Sequence, residues 1–236
     1  MKVTSPFKTA AYLGINRARW AAARRILVGL RTSGWSLDTC LDVGCGQGWF
    51  SERLAHLGLR VDGLDGRPDN VAEARRRVPG ARFRAADIVK SETLARLPSY
   101  DLVFCFGLLY HTETPFMAVR NLRRLTRELL LLESIVLPDL APCACLVDEG
   151  TNETQGLTFH AFIPSQTCLV KMLQAAGFPH VHEYVGSVAH ADFHESETRH
   201  RKRRILVAAN RSVAIRELAP IPPVAAPKRD FWTRLP

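Results

Sequence analysis

An apolar run with a single acid, Cys40-Leu41-Asp42-Val43, breaks into Gly44-Cys45-Gly46-Gln47-Gly48. An amphipathic stretch follows at once, with Phe50, Leu54 and Leu57 on one face and Gly58 as its stop. Strand, glycine-rich turn and helix in immediate succession form the unit on which an open α/β sheet holds a nucleotide-like ligand beyond the carboxyl ends of its strands. Glycines let backbone N–H groups come close to the ligand, and the helix N-terminus adds partial positive charge. The spacing narrows the ligand further. A dinucleotide fingerprint runs Gly-x-Gly-x-x-Gly, and counted from Gly44 its last position is Trp49, too large for close helix–strand packing. No Lys-Ser/Thr pair follows the turn, which excludes a phosphate-cradling P-loop. A nucleoside without a polyphosphate remains.

The pattern then repeats. Residues 59–65 form a second strand, and Pro68 opens a helix through Val71 and Ala74 that ends at Pro79-Gly80. Asp65 falls nineteen residues beyond Gly46, where doubly wound folds place an acid to accept both ribose hydroxyls. Asp62 competes for the role but lies in mid-strand. A short strand over 81–88 reaches Asp87, and the nearly continuous apolar run 100–107 reads as a strand buried on both faces. Thr114-Pro115 opens a helix with Phe116, Val119, Leu122 and Leu125 inward, and residues 128–133 make a fifth strand. Pro164-Ser165 starts another helix, and strands over 181–185 and 204–208 are expected to close the sheet as an antiparallel pair. The expectation is an α/β, Rossmann-like, doubly wound and mostly parallel seven-stranded sheet with helices on both faces. Residues 1–35 form a helical extension that reads equally as edge packing or as a lid. The sheet domain spans 36–212, with an acceptor-side insertion at 134–163, and 213–236 is a proline-rich tail.

Together, the glycine turn opened by Asp42, the acid Asp65, the Asp87-Ile88 pair and the strand at 101–106 resemble class I S-adenosylmethionine-dependent methyltransferases over roughly residues 36–212. A narrower similarity, in Gly107-Leu-Leu-Tyr-His111, Leu132-Glu133, Phe162-Ile-Pro-Ser165 and Ala176-Gly-Phe178, points to the branch that holds the tRNA wobble-uridine carboxymethyltransferase and many bacterial small-molecule and sugar methyltransferases. The resemblance implies S-adenosyl-L-methionine as cofactor, held by Asp42, Gly44, Cys45, Gly46, Asp65, Gly66, Asp87, Ile88, Phe106 and Tyr110. In that family an acid at Asp87, with the next backbone N–H, reads the adenine edge, and an apolar neighbour such as Ile88 covers its face. Two departures separate this chain from the tRNA enzyme. Only about 35 residues precede the glycine turn, where that family has a large domain, and Thr112-Glu113 stands where it has two arginines. Tyr110 matches a cofactor-contacting tyrosine there, so a carboxylated cofactor stays open.

If the acceptor is a hydroxyl, a base near neutral pKa helps to remove its proton. His111, just past the fourth strand, is the first candidate, and a backbone-bonding helix-entry residue is its bland alternative. Glu133, at the end of the fifth strand, is the second candidate for catalysis, against a loop-orienting role. His160 and Glu149, in the insertion, are within reach of the acceptor side in sequence terms only. No metal is expected: Cys143-Ala-Cys145 lacks a second pair, and the remaining option is a divalent cation at Asp139, Asp148 and Glu149.

The net charge of +9 is mostly arginine, spread over several helices and concentrated once, at 199–204. It admits an RNA acceptor without requiring one. No apolar run nears the roughly 20 residues a bilayer span needs, and the first fourteen residues lack a signal-peptide core. A cytoplasmic protein with no membrane partner is expected. The leading reading is O-methylation of a small polar metabolite such as a sugar. Its rivals are an RNA-modifying methyl- or carboxymethyltransferase and a catalytically silent cofactor-binding protein.

Overall fold

The computed structural model describes residues 5–138, 140–196 and 202–223. Helix α1 (Ala10–Thr32) opens on Thr9, whose hydroxyl accepts from the Tyr12 N–H. Then β1 (Thr39–Val43), α2 (Trp49–His56), β2 (Arg60–Asp65), α3 (Pro68–Arg77), β3 (Arg82–Ala85), the single turn α4 (Ser91–Leu94) and β4 (Tyr100–Phe106) alternate as the pattern requires. Helix α5 (Pro115–Leu125) runs directly into β5 (Thr126–Ile135). Thr114 stands at the N-cap position of α5 without a capping side-chain hydrogen bond, so Pro115 alone provides the start signal expected there. A two-stranded hairpin, β6 (Ala144–Asp148) and β7 (His160–Pro164), fills the insertion. Helix α6 (Gln166–Ala175), capped by the Ser165 hydroxyl, β8 (His180–Tyr184), β9 (Arg203–Ala209) and β10 (Leu218–Ile221) complete the chain.

The main sheet runs β10-β8-β9-β5-β4-β1-β2-β3. From β5 to β3 its neighbours are parallel, while β9 lies antiparallel between β5 and β8. The Rossmann-like, mostly parallel sheet is as expected, with eight strands rather than seven. The additional strand is β10, antiparallel to β8 on the sheet edge. Its sequence, Leu-Ala-Pro-Ile, reads as tail because proline gives no ladder donor, and an edge is where a strand tolerates that loss.

Successive strand side chains point to opposite faces, and β4 shows the result. Leu102, Phe104 and Phe106 pack with α1 and α2 on one side, whereas Val103 and Cys105 pack with α5 and α6 on the other. Leu129 and Leu131 of β5 join the first layer, and Leu130 and Leu132 the second. At ~1.5–3 kcal/mol for each large side chain fully buried, these two layers dominate the favourable side of folding. They also hold the strand ends rigid where the site is built. Among the described residues, no helix is long and apolar enough to cross a membrane.

Candidate active site

The carboxyl ends of β1 to β4 open into a cavity of about 580 Å³. Its first wall is the glycine turn. Gly44 (φ 73°) and Gly46 (φ 51°) are left-handed, and each lacks room for a side chain. A Cβ on Gly44 would stand 2.9 Å from Leu108, and one on Gly46 would stand 3.0 Å from the Phe7 ring. The Gly46 N–H donates to Asp65 Oδ2 at 2.9 Å. Asp65 Oδ1 accepts from the Arg67 N–H at 2.9 Å and from Asn70 Nδ2 at 3.1 Å. The carboxylate therefore clamps the glycine turn to the end of β2. Oδ2 keeps acceptor capacity beyond its one bond, because a carboxylate offers about four lone-pair sites.

Gly44, Cys45, Gly46, Asp65, Gly66, Asp87, Ile88, Phe106, Tyr110 and His111 all line this cavity. Asp87 Oδ1 accepts from the Val89 N–H at 3.0 Å, which fixes its carboxyl beside Ile88. Asp42 and Glu133 are placed differently. Asp42 lies beneath the turn, where it accepts from Ser51 Oγ at 2.6 Å, and desolvation pushes its carboxyl up to about 7. Glu133 is fully buried and paired with Arg19 at 3.2 Å and Arg203 at 2.9 Å, so its charge is committed inside the protein.

On the acceptor side, His111 Nδ1 lies 2.5 Å from Glu149 Oε1. Glu149 Oε2 accepts from the Gly156 N–H at 2.8 Å. Both side chains are nearly enclosed. Burial lowers the His111 pKa below that of a free imidazole, the facing Glu149 carboxylate raises it, and Arg203 and Arg19 lower it further. The net direction is downward, so the ring is neutral at neutral pH. A neutral ring against an ionised carboxylate carries its proton on Nδ1, which leaves Nε2 as an acceptor.

Sequence reasoning assigned no role here to Asn16, Arg19 and Arg203. Arg19 looks like one more surface arginine of α1, yet it is buried and lines the cavity with Asn16. Its Nη1 donates to Asn16 Oδ1 at 2.9 Å. Arg19 Nε and Asn16 Nδ2 are buried donors without a hydrogen-bond partner among the described residues. The legible signal was their i, i+3 spacing, which puts both on one helix face. Arg203 comes from β9, the part of the basic run that enters the sheet; residues 199–201 lie outside the described residues, as does Asp139. Among the described residues, no three metal-ligating side chains come together. Asp148 is exposed, 3.7 Å from His160, which is itself 3.9 Å from Glu113.

Two segments cover the cavity. Phe7, Tyr12, Ile15, Asn16 and Arg19 reach it from the first part of the chain, and residues 147–158 from the insertion. Ser5 Oγ donates to Glu153 at 2.7 Å and joins the two covers. Arg67 Nη2 donates to the carbonyls of Gln155 (3.3 Å) and Gly156 (3.0 Å), which ties the insertion to the end of β2.

This sheet order, with a glycine turn after β1 and an acid closing β2, defines the class I methyltransferase fold. Residues 41–129 match the family described as "Methyltransferase domain". It is similar to the tRNA U34 carboxymethyltransferase of Actinobacillus pleuropneumoniae serotype 3 (strain JL03), with 33% identity over 154 residues, 61% of this chain and 46% of that protein. It is 32% identical to the ubiquinone biosynthesis O-methyltransferase of Paraburkholderia xenovorans (strain LB400), over 51% of this chain and 50% of that one. The chain thus spans about half the length of these relatives. The crystal structure of the N-terminal domain of EvdMO1 with SAH bound has the same fold, with a TM-score of 0.64 at 20% identity, covering 84% of this chain and 81% of that one.

Proposed function

We propose that the protein is an S-adenosylmethionine-dependent methyltransferase that O-methylates a small, polar, hydroxyl-bearing metabolite such as a sugar. The carrying observation is the His111–Glu149 pair, which shares one covered cavity with the glycine turn. The residues present fit the cofactor's parts. Asp65 suits the ribose hydroxyls, Asp87 and Ile88 the adenine, and the orphaned donors of Arg19 and Asn16 an amino-acid carboxylate. When bound, the cofactor supplies a methyl group already activated by its sulfonium.

The protein's share is alignment and proton handling. The cavity walls would hold the acceptor hydroxyl beside the bound cofactor, which would supply the activated methyl group, and such orientation provides much of the rate gain. His111 Nε2 takes the hydroxyl proton, and the imidazolium that results faces Glu149. Asp42 braces the turn from below, and Glu133 fixes Arg19 and Arg203 behind Tyr110. The relative named for tRNA U34 carries the second reading, an RNA acceptor. The test is transfer of labelled methyl from S-adenosylmethionine into host extract, fractionated into RNA, protein, lipid and small molecules. Ribonuclease-resistant label in the small-molecule fraction is the expected result; label confined to RNA supports the second reading.

A further inference from the structure

We infer that Glu149 is the positioning residue for His111, and that the insertion delivers it, so the base is oriented only when residues 147–158 are docked over the cavity. The inference rests on His111 acting as the base. His111 belongs to the 3-10 turn Leu109–His111 that follows β4, while Glu149 directly follows β6, so the two groups come from different segments of the chain.

Each contact that fixes Glu149 belongs to the docked insertion. Its Oε2 accepts from Gly156, and its own N–H donates to the Phe159 carbonyl at 2.8 Å, closing the loop between β6 and β7 on itself. Arg67 then holds the carbonyls of Gln155 and Gly156 against the glycine-turn side, and Ser5 holds Glu153 from the first part of the chain. The close approach of Gly156 to the His111 carbonyl leaves no space for a side chain: a Cβ there would stand 2.5 Å from that oxygen. The backbone of one piece is thus shaped to the backbone of the other at the point where the side chains pair.

The charged groups around His111 give Glu149 a distinct task. Arg203 of β9 and Arg19 of α1 both oppose protonation of the ring, Tyr110 packs its ring 4.2 Å away, and Glu113 lines the cavity two residues on. Glu149 is the carboxylate hydrogen-bonded to the ring, and it does two things at once. It keeps the proton on Nδ1, so Nε2 presents its lone pair, and it stabilises the imidazolium formed when the acceptor's proton arrives.

The experiment is a nitrogen-15 histidine NMR titration of the full chain, with the His111 signals assigned by their loss in His111→Ala. The wild type is expected to show the Nδ1–H tautomer with Nε2 unprotonated at pH 8, a measurement that does not depend on the folding of Glu149→Gln. The opposite tautomer overturns the inference. In Glu149→Gln the His111 midpoint is expected to fall, because a carboxylate that favoured the charged ring is gone, and methyl transfer in extract is expected to drop at least about tenfold. An unchanged midpoint, or transfer within about twofold of wild type, overturns the role of Glu149 while His111→Ala still abolishes transfer. Transfer retained by His111→Ala removes the base reading itself, which is a separate failure.

Discussion

Asp42 and His111 titrate in opposite senses for one cause, the removal of water. Desolvation raises Asp42 from its ordinary carboxylate range to about 7, so the folded protein holds that proton more tightly than the unfolded chain. Its contribution to stability is therefore complete below about pH 4 and lost as pH rises toward 7. Asp42→Asn keeps a partner for Ser51 without the charge. The melting-temperature difference, variant minus wild type, is expected to grow more positive from pH 5 to pH 8. A difference that is flat or falls with pH contradicts the assignment. His111, whose pKa is lowered, acts the other way: its contribution is present above the free-imidazole range and is lost as pH falls through the folded value. Space supplies a second prediction. A Cβ on Gly63 of β2 would stand 2.3 Å from the Phe83 ring, so Gly63→Ala is expected to destabilise by about 1–3 kcal/mol in urea unfolding. Adding Phe83→Leu should recover part of that loss. The site was legible where chemistry follows local order: the glycine turn, Asp65 at its set distance, and His111 just past a strand end. It was illegible where partners meet across the fold. Arg19 and Glu133 lie 114 positions apart, and nothing local distinguishes a buried arginine from the solvated ones beside it.

Helices and strands were read from period and punctuation, and these placed the elements of the main sheet, although Phe116, expected inward on α5, is exposed. The insertion resisted because its order comes from contacts with other elements. The β6–β7 hairpin is separate from the main sheet, and its outer face exposes Leu146. Arg67 is the tie whose loss is easiest to see. Each hydrogen bond from a charged donor contributes ~1.5–3 kcal/mol. Arg67→Ala is expected to speed limited proteolysis within residues 149–158 and to weaken S-adenosylhomocysteine binding roughly tenfold by calorimetry. Proteolysis at the wild-type rate would show that the Ser5–Glu153 bond and the hairpin hold the insertion without it. The edge strand β10 teaches the same lesson from the opposite direction. A proline that marks a tail in sequence is tolerated once a neighbouring strand, β8, offers an edge.

At the scale of the molecule, the net charge of +9 and the covered cavity make different demands on an acceptor. An acceptor bound through several phosphates loses affinity steeply with salt, by about 10³–10⁵ between 50 and 200 mM when six to ten contacts are made. A small neutral acceptor held inside the cavity is expected to show transfer within about twofold over the same range. A steep loss, measured on the labelled fraction, would assign the arginine-rich faces to a nucleic acid.

The position of β9 has a consequence for how the protein is made. A ribosome delivers the parallel strands first, and β1 to β5 can pair as they emerge. Strand β8 has neither of its neighbours at that stage, because β9 and β10 are both encoded after it. Arg203, which arrives with β9, is also the second partner of Glu133 behind Tyr110. Until it arrives, Glu133 is without one of its two counter-ions and the Tyr110 hydroxyl is without its arginine partner. The chain therefore cannot complete its cavity during most of its own synthesis, and a truncated product that stops before β9 would carry the glycine turn without a finished site.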